Sequence, residues 1–578
     1  MATSEPLWVG LQVPDRHRPD SGSFDCRPRA VEDWLQNLPV TNLGETSRQV
    51  YEALQDLNRL ELRPARRLVV LERVREMVDY LVESLRKLYC GRELPLQEKP
   101  RRAANVAQHL LSEIALGYEV ILHSAVREGR LATRRTLALA LERTVDYRGR
   151  MFLESWLVYR PGPSDGWRRL HSLYRIGEAQ NLSGARVPSG GERRRGRWTP
   201  LTAYKRILLT AAVGPLRLRP QEIMDSYRLL GQWAAHAQLV APDAAQAGEG
   251  AFQVRVDGNQ PPRPAGLEEP QSGDRVLVTT DMVSVMEREF ATTTVSRAFW
   301  RRRPLADVSP DLARRLIVAL GAVSSRRQAR LNTRSRVQVV VGMVRIHQML
   351  CRELGWDEDA EERYNSQFRS RETAAEAGRG GPDVWDLIYP TELIRTLELE
   401  AQQRNRVDAR EARESRPLDW DLLNVSAGGY CLLSDPDQSR RIQVGELIAM
   451  RDAAGRSQVW QLGVVRWLRT PEPERLQVGV ELLGPRPIPV QARTRREDGG
   501  FGPDERALLL PAVVSTERPA SVVIPGDQLE PGGRARIGDR GKETDIEILG
   551  ALDRTSHFGQ FEFRRCDALQ SEPLNPPR

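Results

Sequence analysis

Apolar residues recur at three- and four-residue steps through the first 240 positions. Between Pro64 and Gly91 the stripe is Leu71, Val74, Val78, Leu81, Leu85 and Leu88, which share one side of a 3.6-residue helix. Pro64 opens this segment and Gly91 closes it, as helix ends prefer. The same period predicts a helix over Asn105–Arg127 (Leu110, Ile114, Tyr118, Ile121) and another over Thr133–Tyr159 (Leu137, Leu141, Val145, Phe152, Trp156, Tyr159). Short loops between long amphipathic helices favour antiparallel packing. Trp167-Arg-Arg-Leu-His-Ser-Leu-Tyr174 has the look of a tetratricopeptide opening, but it occurs once where a repeat should recur. It reads as an ordinary helix anchored by aromatic residues. A further helix starts near Pro220. Two short strand patterns follow, Phe252–Val256 and Arg275–Thr280, in a stretch rich in proline and glycine.

From Asp419 the period changes to two. Tyr430–Leu433, Gly445–Met450, Trp460–Leu468 and Leu476–Leu483 alternate as half-buried strands do. Ala507–Leu510, Ser521–Ile524, Arg534–Ile537, Asp545–Leu549 and Phe558–Phe563 continue the pattern, and turn signals such as Pro525-Gly526 and Pro531-Gly532-Gly533 separate them. The chain is therefore helical first and antiparallel β second, an α+β multidomain arrangement. The length of 578 residues fits about two to four domains.

Composition narrows the class. Apolar content of 40% and charged content of 28% describe a globular chain. No apolar run approaches a membrane span, and no basic-then-apolar leader opens the sequence, so a cytoplasmic protein is expected. Five scattered cysteines, an odd number without metal-ligand spacing, suit buried thiols in a reducing compartment. Net charge is +8, carried almost wholly by arginine beside four lysines. Arginine forks fit phosphates and guanine edges, but GC-rich coding spreads arginine everywhere. Position must carry the argument. Ser183–Arg197 holds five arginines in a loop-like segment and reads as solvated loop before it reads as a nucleic-acid surface.

Catalytic patterns are poor. Gly162-Pro-Ser-Asp-Gly166 matches a nucleophile elbow by spacing, but it follows a helix and lacks the strand-turn-helix setting. There is no H-E-x-x-H, no Walker loop and no complete G-x-G-x-x-G. His109 and His171 sit inside helical patterns as ordinary polar or core residues. No enzyme activity, metal or cofactor is expected.

Asn424-Val-Ser426-Ala-Gly-Gly429 stands apart. Strand patterns follow it at once: Tyr430–Leu433, then Gly445–Met450, then Leu462-Gly-Val-Val-Arg466-Trp467, then Gln477-Val-Gly-Val-Glu-Leu-Leu483. The stretch resembles the [D/N]-x-S-x-x-G motif and following strands of the PilZ family, with Leu482 where an aromatic residue is usual. That resemblance implies a six-stranded antiparallel barrel that binds cyclic di-GMP. It also asks for an R-x-x-x-R box before the first barrel strand. Arg326-Arg327-Gln-Ala-Arg330 precedes the strand pattern Val337–Val341 and is preferred. Arg406-Val-Asp-Ala-Arg410 is the alternative, in a charged helical run with no strand fitting between it and Asn424.

The preferred box makes 343–417 a helical insertion inside the barrel. The expected layout is a helical region over 1–240, a small β and helix connector over 241–310, the PilZ-like barrel over 311–490 and a β-rich module over 491–578. That last module either stands alone or extends the barrel. The resemblance implies that Arg326, Arg327 and Arg330 wrap the dinucleotide, that Asn424 and Ser426 bond guanine edges or phosphate, and that Gly429 permits a tight turn. Cyclic di-GMP is thus the expected ligand, with a protein partner reached through the helical region. A nucleic-acid partner is not expected. The alternative is a degenerate barrel serving as a scaffold, with Asn424 and Ser426 merely capping a turn.

Overall fold

The protein is described by a computed structural model that covers residues 12–188, 198–244, 250–271, 273–295, 309–321, 331–355, 417–426, 428–436, 441–453, 459–496, 500–513, 518–526, 529–539 and 542–566. It divides into two compact units. One is Met1–Arg327 with Asp437–Arg441 and Leu468–Leu476. The other is Gln328–Pro436 with Ile442–Trp467 and Gln477–Arg578.

The first unit is a helical bundle with a small sheet. Its helices are α1 (Pro28–Gln36), α2 (Leu43–Arg59), α3 (Pro64–Tyr89), α4 (Glu98–Leu122), α5 (Arg134–Trp156), α6 (Gly166–Ala179), α7 (Pro200–Val213) and α8 (Pro220–Trp233). The predicted stripe of α3 is buried at Leu71, Val74, Val78, Leu81 and Leu85. It then drifts, so that Tyr89 is buried and Leu88 is exposed. Seven residues of an α-helix fall about 20° short of two full turns, so a strict seven-residue stripe drifts around the helix. The second predicted helix begins earlier, at Glu98, and ends in a π turn at His123–Arg127.

Helix α5 is buried nearly all round, charged residues included. Those charges are matched. Arg148 makes two bonds to Glu119, at 2.8 and 3.0 Å. Arg143 bonds Glu142 at 2.8 Å and Glu72 at 3.0 Å. Arg206 pairs with Asp146, and Glu154 takes Arg86 and the Tyr89 hydroxyl. A buried charge left without a partner is costly. Part of the arginine surplus is therefore structural.

The aromatic residues of α6 are core anchors. Trp167 lies 4.6 Å from Phe152 and Tyr174 stacks on Tyr204 at 4.8 Å. Strands β1 (Gln238–Val240), β2 (Ala251–Val254), β3 (Arg263–Pro264) and β4 (Arg275–Val278) form one sheet in the order β1-β4-β2-β3. Helices α9 (Thr280–Val295) and α10 (Pro310–Gly321) follow. Helix α10 belongs to this unit, so the barrel does not begin at 311 as the sequence suggested. Its buried face, Leu312, Ala313, Leu316 and Leu320, is a helix pattern rather than a strand pattern.

The second unit holds two barrels, apart from the strand ends at Leu468–Leu476. Strand β5 (Leu331–Val341) leads through Gly342, at φ 95°, into helix α11 (Met343–Glu353). Only glycine adopts that backbone without strain. Strands β6 (Leu418–Ser426), β7 (Gly429–Leu433), β8 (Leu447–Asp452), β9 (Gln461–Glu472) and β10 (Arg475–Pro485) close the first barrel in the order β10-β7-β6-β5-β8-β9. The second comprises β11 (Ile488–Thr494), β12 (Glu505–Leu510), β13 (Ser521–Pro525), β14 (Arg534–Asp539), β15 (Lys542–Arg554) and β16 (Phe558–Arg565). It closes as β11-β12-β13-β16-β15-β14. Of the two possibilities left open for the last strands, a separate closed barrel is the outcome.

The two barrels share an apolar core. Ile346, Met349 and Leu350 of α11 join Leu447, Trp460, Leu462 and Leu483 of the first barrel and Leu508, Leu510, Val523 and Phe558 of the second. Polar contacts flank it. Trp460 Nε1 donates to Glu353 at 2.8 Å, and His347 Nε2 donates to the Val490 carbonyl at 3.2 Å. Arg466 reaches both Glu481 and Asp553 at 2.6 Å.

Candidate functional site

The turn between β6 and β7 carries Asn424, Ser426 and Gly429. Along β6, Trp420 and Leu422 face the barrel interior and are buried. Simple alternation would send Asn424 and Ser426 inward as well. It does not, because the register slips by one between Leu422 and Asn424 against β7, and between Asn332 and Ser335 against β5. A bulge of this kind re-aims the side chains that follow it. Asn424 and Ser426 come out half-buried, and the Asn424 amide has no hydrogen-bond partner among the described residues.

The Ser426 hydroxyl donates to the Gly429 carbonyl at 3.2 Å, which closes the turn. Gly429 is paired with Glu481 of β10. A Cβ at Gly429 would collide with the Val480 carbonyl oxygen. Close approach of two backbones, rather than a left-handed φ, is what requires glycine here. The next link is Leu482, whose amide donates to the Gly428 carbonyl at 2.9 Å.

The arginines of both candidate boxes, Arg326, Arg327 and Arg330 and also Arg406 and Arg410, lie outside the described residues. What the structure describes is the strand that follows the first box. It starts at Leu331, six residues before the predicted Val337, and Leu331 pairs with Val425. The sequence reading allowed no strand between Arg410 and Asn424. In fact β6 begins at Leu418 and contains Asn424 itself. Its mixed pattern, LDWDLLNVS, hides the strand because only Trp420 and Leu422 are buried before the bulge.

Three other described arginines of this barrel, Arg336, Arg451 and Arg466, are already matched. Arg336 holds Asp435 at 2.7 Å, and that bond raises its guanidinium above the ordinary value. Arg451 pairs with Glu353 and lies over Trp460. For Arg466, burial opposes the charge, but Asp553 and Glu481 outweigh it and the net shift is upward. No group of three metal-ligating side chains occurs among the described residues. Nor is any described helix long and apolar enough to cross a membrane. At the elbow-like Gly162–Gly166, both glycines pack against the Phe152 ring where α6 begins, so the setting is not that of a nucleophile.

Comparison with known proteins covers nearly the whole chain. Residues 29–244 match the family model "Cyclic-di-GMP receptor FimW, N-terminal domain". Residues 251–489 match its middle PilZ domain, and residues 490–566 match its C-terminal beta-barrel domain. The cyclic-di-GMP receptor FimW of Pseudomonas aeruginosa is 27% identical over 588 residues, covering 98% of this chain and 95% of that protein. No solved structure matches the chain at a comparable level.

Proposed function

The chain belongs to the PilZ family, and we propose on that premise that it is a cytoplasmic cyclic-di-GMP receptor that regulates a partner without chemistry of its own. The observation that carries this reading is topological. The chain leaving Arg326–Arg330 enters β5 at Leu331, and Leu331 pairs with Val425, between Asn424 and Ser426. An arginine box at that strand end and the Asn-Ser turn would then share one end of the barrel. The Arg406–Arg410 box stands before β6, one strand later in the chain. This supports Arg326, Arg327 and Arg330 as the residues that wrap the dinucleotide. Guanidinium forks match both phosphate oxygens and the O6/N7 edge of guanine. Asn424, re-aimed outward and with an amide to spare, would read a guanine edge or phosphate. The name of the relative points the same way.

The signal would leave through the helical unit, where α3 leaves Val69, Tyr80 and Leu88 exposed. Binding would favour one of two arrangements already accessible to the receptor. A second reading, a degenerate barrel acting as scaffold, draws on the Ser426–Gly429 bond, which closes the turn without any ligand.

Calorimetric titration of the purified full chain with cyclic di-GMP, with GTP as control, decides between them. Saturable binding of cyclic di-GMP alone is the expected result. A folded sample that binds neither would leave the scaffold.

A further inference from the structure

The two barrels repeat one strand order. With strands numbered one to six within each, both close as one-two-three-six-five-four. In the first barrel the connection from the second to the third strand is the turn that carries Asn424, Ser426 and Gly429. In the second barrel the same connection runs from Leu510 to Ser521 and contains no such motif.

That second connection instead presents an arginine to the first barrel. Arg518 is held in place by backbone pairing with Val513, at 2.9 and 3.2 Å. Its Nη1 donates to the Leu482 carbonyl at 2.9 Å and the Leu483 carbonyl at 3.2 Å. Leu482 is the residue whose amide bonds the Gly428 carbonyl. One residue of β10 thus touches the candidate turn through its N–H and Arg518 through its C=O.

The chemistry of this anchor is unusual. Guanidinium has five N–H donors, and the two carbonyls engage only Nη1. No carboxylate pairs with Arg518 among the described residues, whereas Arg336, Arg451 and Arg466 each have one. Carbonyls fix the position of the side chain but leave its charge uncancelled. A fixed, uncancelled guanidinium beside a turn suits an anionic ligand, because its cost of ordering is already met within the fold.

We propose that Arg518, delivered by the C-terminal barrel, is a ligand-contacting residue of the cyclic-di-GMP site, with Nε and Nη2 forming a fork toward a phosphate or guanine edge. The proposal rests on the receptor reading above. It gives the second barrel a role in binding: a connection without a motif of its own completes the site of its neighbour.

The test titrates three full-length proteins with cyclic di-GMP: the natural chain, Arg518→Ala and Arg518→Lys. Lysine can still donate to the Leu482 carbonyl but has no fork. Both variants are expected to bind about tenfold more weakly or worse, with an unchanged melting temperature for Arg518→Lys. If Arg518→Ala melts early, Arg518→Lys alone carries the comparison. Natural affinity in Arg518→Lys would mean that only the carbonyl anchor matters and would overturn the proposal. Unchanged affinity in Arg518→Ala would overturn it as well. A natural chain that binds no cyclic di-GMP sinks the receptor reading itself, a failure recognisable without either variant.

Discussion

A half-buried asparagine with a spare amide and a serine closing its own turn differ in what they have left to offer a ligand. Asn424 has its hydrogen-bonding capacity available, while the Ser426 hydroxyl already serves Gly429. Asn424→Ala is therefore expected to weaken cyclic di-GMP by about 1–3 kcal/mol, the range for a lost hydrogen bond to a charged or polar group, and Ser426→Ala by less. Arg330→Ala should cost about 1.5–3 kcal/mol, and Arg410→Ala should leave affinity nearly intact. Titration of the four variants checks the set, and a large loss at Arg410 would transfer the arginine role to the other box. His171 offers a test that involves no ligand. It is fully buried, with Nδ1 2.6 Å from the Tyr204 hydroxyl and Nε2 3.1 Å from the Gln260 carbonyl. Burial holds its pKa down to about 4, against 6.5 in the open chain. The folded state keeps the neutral ring while the unfolded chain takes up a proton. Stability is thus lost as pH falls from about 6.5 to about 4, by at most about 3 kcal/mol, and is flat above that window. His171→Gln removes the titration. The difference in unfolding free energy between the two proteins should change only inside this window, and a difference flat throughout would remove the assignment.

Elements succeed or fail by their periodicity, and so did their legibility. Helix α3 and the strand at Leu476–Leu483 are readable because one face is steadily apolar, and Ser521–Ile524 because it is a short β-branched run buried on both faces. Strand β6 escapes because its bulge breaks the alternation at the point where the site is built. Sequence patterning detects a strand by its regularity, and a site on a bulge is a local departure from it. The motif residues were legible only through family resemblance. Arg518 had no signal at all, since it lies in a turn-like stretch and acts across two barrels. Glycine at 429 was legible as a type but not in its reason. Its role is the approach of Val480, which predicts a definite cost. Gly429→Ala should destabilise the barrel by about 1–3 kcal/mol, as overpacking does, because the clash is with backbone that has nowhere to rotate. The denaturation midpoint reads this out. An unchanged midpoint would mean that β7 and β10 are not packed as closely as described.

At the scale of the molecule, the two barrels are separate in topology but not in energy. Their sheets close independently, yet Phe558 and Leu508 of the second pack with Leu462, Trp460 and α11 in one buried cluster. Arg466 reaches carboxylates on both barrels, and the Thr555 hydroxyl bonds the Gly445 carbonyl at 3.0 Å. Shared apolar burial couples unfolding, because neither barrel can open without exposing the other's surface. Sequence spacing divides these barrels at about 490 and shows nothing of the common core, since burial against a neighbour looks the same in a sequence as burial within a barrel. Phe558→Ala should therefore act at a distance. Loss of a buried phenylalanine costs about 3–5 kcal/mol, and the loss should appear in β8, β9 and β10 of the first barrel as well as in β13 and β16. Hydrogen exchange of backbone amides measures this strand by strand. Faster exchange in both barrels is the expected outcome. Faster exchange confined to the second would mean two independent folding units, and it would weaken the case for a receptor site assembled from both.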